Sequence, residues 1–83
     1  MEYYSVARGE MPPEIAKLQK EKRAEVINSI GLGVMDTEIA MRRYIDWIPQ
    51  ADIGAIVGRD RSVVSKRLQR IEPKIISAIN LPQ

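Results

Sequence analysis

Residues 50–70, QADIGAIVGRDRSVVSKRLQR, hold two short apolar-periodic segments separated by Gly58, Arg59 and Asp60. Ile53, Ile56 and Val57 fall on one side of a predicted helix from Asp52 to Val57. Val64, Leu68 and Ile71 recur at i, i+4 and i+7 and form the inward face of the next. Gly58 breaks the first helix, and Asp60 suits the N-cap of the second. Two helices joined by so short a turn must pack at a steep angle. A small residue is then needed where the second helix approaches the first, and Gly54 occupies that place. The turn itself favours a positive φ, which glycine adopts without a Cβ penalty, and Gly58 sits there. The outward positions at the start of the second helix should be polar or basic, as Arg61, Ser62, Ser65, Lys66 and Gln69 are. The pattern predicts a helix-turn-helix whose second helix runs from about Arg61 to Ile71.

Upstream, Asp36 is the expected N-cap of a helix with Ile39, Met41, Tyr44, Ile45 and Ile48 on its apolar face. Pro49 is expected to end it, since a residue before proline is pushed out of the helical region. Tyr44 and Trp47 share that apolar periodicity and are expected in the core. Earlier still, Pro12 and Pro13 suit a helix start, where a missing N–H has no partner to lose. Ile15, Leu18, Val26, Ile27 and Ile30 then predict one helix interrupted in character by the charged run QKEKRAE, ending near Asn28 to Gly31. Downstream, Pro73 should end or kink the recognition-type helix, leaving a short last helix from Lys74 to Asn80. The expected organisation is a flexible arm over 1–10 and a single helical domain over 11–83. That domain comprises an N-terminal helix over 11–30 and the helix-turn-helix region over 36–83. The fold class is all-α, a small bundle of four to five helices.

Composition narrows the function. The chain of 83 residues has no Cys and no His, so neither disulfides nor a zinc site of the usual kind can stabilise it. No metal and no cofactor is expected. Without His, Cys or a Gly-rich phosphate loop, and with carboxylates scattered beside Lys and Arg, catalysis is not expected either. No apolar run approaches the ~18 residues that span a bilayer, and the N-terminus lacks a signal-peptide core. The expectation is a cytoplasmic protein with no membrane contact. The formal net charge is only +2, but it is unevenly spread. Residues 1–35 balance five basic against five acidic side chains, whereas Arg59 to Lys74 carry six basic against two acidic. Such a local basic stripe suits a nucleic-acid surface, or equally a solvated helix face.

The stretch TEIAMRRYIDWIPQADIGAIVGRDRSVVSKRLQRI, Thr37 to Ile71, resembles region 4, the DNA-binding region of bacterial sigma-70-type factors, and small phage regulators that use the same module. The resemblance rests on Glu38, the Arg43-Tyr44 pair, Asp52-Ile53, Gly58, Asp60, Val64 and the basic Arg67 to Arg70. Two positions depart from the family: Arg59 stands in the turn where an apolar residue is usual, and Arg67 falls near a normally inward position that Leu68 takes over. The core-binding regions of a complete sigma factor are missing from these residues.

The resulting expectation is a sequence-specific binder of double-stranded DNA, a transcriptional regulator of phage or bacterial type. Arg61, Ser62, Ser65 and Lys66 are the expected base contacts in the major groove, with Gln69 reaching a base or a phosphate. Arg59, Arg70 and Lys74 are the expected phosphate contacts, and Gln50 meets phosphate at the start of the preceding helix. Arg42 and Arg43 are further cations for phosphate or for solvent. A footprint this small calls for a second copy or a partner, so a homodimer, or docking on RNA polymerase or a sigma factor, is considered. The alternatives are a protein-interaction domain gripping sigma factor or polymerase, and a DNA-packaging module like a small terminase subunit.

Overall fold

The computed structural model describes residues 11–81, so the arm expected over 1–10 lies outside the described residues. Those residues form an all-helical bundle of five helices: α1 (Pro13–Ala16), α2 (Lys20–Ser29), α3 (Val34–Tyr44), α4 (Gln50–Val57) and α5 (Arg61–Ile79). No strand occurs among them.

The long helix α5 organises the rest, because it packs against each of the other four. Its inward stripe is Val64, Leu68, Ile71 and Ile75, all at most 2% exposed. Burying such side chains contributes roughly 1.5–3 kcal/mol each. They meet Ile15 from α1, Val26 and Ile27 from α2, Ile39, Ala40 and Tyr44 from α3, and Ile53 from α4 in one core.

Several boundaries differ from the sequence expectation, each for a packing reason. The helix expected over 11–30 is two helices, broken at Lys17 to Gln19. A straight helix would hold Ile15 and Val26 about 16 Å apart along its axis. Bending lets both enter the same small core, and Arg23 Nη1 donates to the freed Leu18 carbonyl at 2.6 Å. Helix α3 starts two residues before Asp36, with Gly33 at its N-cap, which leaves the Asp36 side chain to face α5. It ends at Tyr44 rather than at Pro49. The chain must reverse before α4, and Trp47 does so with a left-handed φ of 59°. Pro49 becomes the extended N-cap of α4, which therefore begins at Gln50, not Asp52. Trp47 is not a core residue: it is 45% exposed, with the Arg23 guanidinium 4.8 Å above its ring.

Pro73 neither ends α5 nor starts a new helix; α5 runs unbroken from Arg61 to Ile79. Proline removes the N–H that would have met the Gln69 carbonyl. Pro73 is on the exposed side, while Ile71 and Ile75 anchor the helix on either side of it.

Two polar contacts fix α5 against α3. Arg67 Nη1 meets Asp36 Oδ1 at 2.6 Å, and the Tyr44 hydroxyl donates to Glu72 Oε2 at 2.6 Å. Tyr44 is fully buried. Burial first, then the bond to Glu72 and that carboxylate's charge, push its hydroxyl pKa far above the ordinary phenol range; Arg43 opposes the shift to a lesser extent.

Candidate nucleic-acid interface

The α4–α5 connection is only Gly58, Arg59 and Asp60. Its geometry depends on two glycines in different ways. Gly58 closes α4 in the left-handed conformation, at φ 73° and ψ 34°, and the Arg59 N–H returns to the Gly54 carbonyl at 2.9 Å. This is a Schellman closure, for which glycine is the favoured residue. Gly54 has ordinary helical backbone but no room: a Cβ there would stand 2.6 Å from the Arg59 carbonyl oxygen. The close approach predicted at Gly54 is thus present, although the backbone it meets is the turn and the start of α5. Asp60 holds the N-cap position with extended backbone, and its own carbonyl accepts from Val63 and Val64. Contrary to expectation, its side chain makes no capping hydrogen bond.

The buried stripe fixes how α5 is rotated. Its residues, Val64, Leu68, Ile71 and Ile75, each lie two positions after one of Ser62, Lys66, Gln69 and Pro73. Two residues correspond to a turn of about 200° around a helix, so the second row points almost directly away from the core. All four of its members are exposed. Arg70 and Lys74 are exposed on one flank of this row. On the other flank are Ser65, half buried, and Arg61, exposed at the helix start. Arg59 is exposed in the turn, and Gln50 is partly exposed in the first turn of α4. Val63, Lys66, Arg67, Gln69 and Arg70 line a shallow, open hollow on this surface.

Charge is distributed less simply than the linear count suggested. Arg67 is engaged by Asp36, so it joins α5 to α3 rather than the outer row. Arg42 pairs with Glu38 at 3.0 Å, and Arg43 is 9% exposed and donates to the Ile48 carbonyl at 3.2 Å. Neither is an open surface cation. Arg59, Arg61, Lys66, Arg70 and Lys74 form no ion pair among the described residues. No acidic residue occurs between Arg61 and Ile71, so Arg61, Lys66 and Arg70 have no counter-charge from their own stretch of helix.

No local pattern points to the Asp36–Arg67 and Tyr44–Glu72 pairs, whose partners are 31 and 28 residues apart. Among the described residues no helix is long and apolar enough to cross a membrane, and no cluster of His, Cys, Asp or Glu is arranged to hold a metal. No protein-family model matches the chain, and no curated protein or solved structure matches it either.

Proposed function

We propose that the protein binds double-stranded DNA, with α4, the Gly58–Asp60 turn and α5 acting as a helix-turn-helix, and that it serves as a transcriptional regulator of phage or bacterial type. The observation that carries this reading is the exposed row of α5, directly opposite the stripe that anchors the helix and flanked by cations that form no ion pair among the described residues. A helix held this way presents a convex, polar, positively charged rod of the width that a major groove admits. In that pose Ser62, Lys66 and Gln69 face the base edges, with Arg61 and Ser65 on one flank of that row. Arg59, Arg70 and Lys74 meet phosphates, together with the first turn of α4 at Gln50. The resemblance of Thr37 to Ile71 to region 4 of sigma-70-type factors supports the same docking.

Fluorescence anisotropy of the intact chain with a labelled duplex tests the reading. Neutralising three phosphates, through Arg59, Arg70 and Lys74, makes log K fall with log salt at a slope of roughly −3. Arg70→Ala is expected to reduce that slope by about one and to weaken binding to all sequences alike. An absence of duplex binding at about 50 mM salt, where electrostatic association is strong, would exclude the proposal.

A second reading, a domain that grips a sigma factor or RNA polymerase, draws on Ile56, which is 47% exposed on α4 beside the turn. It predicts coelution with polymerase and abolition of that coelution by Ile56→Asp, with no salt-sensitive duplex binding.

A further inference from the structure

Lys66 and Gln69 stand out within the exposed row because of what flanks them and what is missing around them. Both are exposed, and both lie opposite the stripe that fixes the rotation of α5. Arg61 and Ser65 do not share this direction. Arg61 precedes Ser62 by one residue, about 100° around the helix, and Ser65 is half buried. Arg67 is held by Asp36. The outward row therefore offers one hydroxyl, one ammonium and one carboxamide before Pro73.

These groups differ in what they can discriminate. An ammonium donates only, and in the major groove the paired acceptors O6 and N7 belong to guanine. A carboxamide both donates and accepts, matching the N7 acceptor and N6 donor of adenine. A hydroxyl pairs with many edges and discriminates little. A carboxylate, the usual partner of the cytosine N4 donor, does not occur from Arg61 to Ile71. Lys66 and Gln69 are separated by about 4.5 Å along the axis, against about 3.4 Å between successive base pairs. Their reach thus corresponds to neighbouring pairs.

Resting on the DNA-binding reading above, we infer that Lys66 and Gln69 form a two-residue code that selects a guanine next to an adenine on one strand of the target. Arg70 and Lys74, on one flank, hold the adjoining phosphates and set the register without contributing to the choice.

Selection from a random duplex pool with the intact chain, followed by affinity measurement on the recovered site and its single-base variants, tests this inference. The recovered site should contain adjacent G and A, each preferred by about 10-fold to 100-fold over the other bases. Lys66→Ala should erase the preference at G and leave that at A; Gln69→Ala should do the reverse. Lys66→Arg should keep guanine. Far-ultraviolet circular dichroism of each variant reports whether its helices are intact. A recovered site without such a step, or variants that weaken every duplex by one factor while the parent's preference persists, would overturn the inference. A parent that binds duplex without preference overturns the code alone. A parent that binds no duplex removes the DNA-binding reading as well.

Discussion

Asp36, in the first turn of α3, and Arg67, in the second turn of α5, form an ion pair of 2.6 Å that turns a residue of the basic segment toward the body of the protein. The side chains are 20% and 31% exposed. Contacts at this depth are worth more than a fully solvated pair, whose median is about 0–1 kcal/mol. Asp36→Asn is expected to cost about 1–2 kcal/mol, read as a lower urea midpoint at unchanged m-value. The double variant Asp36→Asn, Arg67→Met should lose less than the two single losses added. Additivity would show that the two side chains do not cooperate.

The two glycines around the turn should respond differently to alanine. At Gly54 the new methyl would meet the Arg59 carbonyl oxygen at 2.6 Å, and that atom belongs to the backbone. Relief requires α4 and the turn to separate, at a cost of about 1–3 kcal/mol. At Gly58 there is open space, but φ is 73°, so alanine pays only the left-handed conformational cost of about 1–2 kcal/mol. Thermal melts of Gly54→Ala and Gly58→Ala should rank Gly54→Ala as the more damaging, and Gly58→Asn should be nearly silent. Equal melting temperatures for Gly54→Ala and the parent would contradict the close approach.

Alkaline pH should unfold the protein through Tyr44. Its hydroxyl pKa is raised in the folded state, by burial, by Glu72 and by that group's charge. A raised folded pKa gives stability that is complete below the unfolded value, about 10 for tyrosine, and is lost as pH rises beyond it. Each pH unit above that point should remove about 1.4 kcal/mol while the folded hydroxyl stays protonated. Tyr44→Phe should remove this slope between pH 10 and 12, in urea titrations at fixed pH, although it forfeits the Glu72 bond at neutral pH. An identical slope in both proteins would mean that other groups, such as lysines, govern alkaline unfolding.

Pro73 is a fourth testable site. Replacing it with alanine restores the N–H facing the Gln69 carbonyl, and an interior proline costs roughly 3 kcal/mol relative to alanine. Part of that gain is returned through the more flexible unfolded chain. Pro73→Ala is therefore expected to stabilise by about 1–3 kcal/mol in denaturant. A loss of stability would mean that the bend or packing imposed by the ring is required.

The all-helical class and the segment from Gly54 to Ile71 were legible because their determinants are local. Val64, Leu68 and Ile71 announce the buried side by their spacing, and all three are at most 2% exposed. Gly54 and Gly58 are constrained by backbone within a few residues. The break at Lys17 to Gln19 was not legible, since no glycine or proline marks it. Tertiary packing sets it. Pro49 has the character of a terminator for α3, whereas the helix ends earlier, ahead of the positive φ at Trp47, a residue type with no preference for that conformation. Trp47 and Arg67 show the same limit. Hydrophobic periodicity puts Trp47 in the core, and the count of basic residues includes Arg67 without showing what it meets; each has a partner from a distant part of the chain, Arg23 and Asp36.

A helix that touches every other helix cannot loosen on its own. In many proteins the working segment sits on a loop or lid that opens at far lower cost than global unfolding. Here the rod bearing the exposed row is also the spine of the bundle, so amide protons in the middle of α5 should exchange only when the whole molecule opens. Any ligand seated on that rod would then slow exchange at every amide that opens only globally, in other helices as well as at its own footprint.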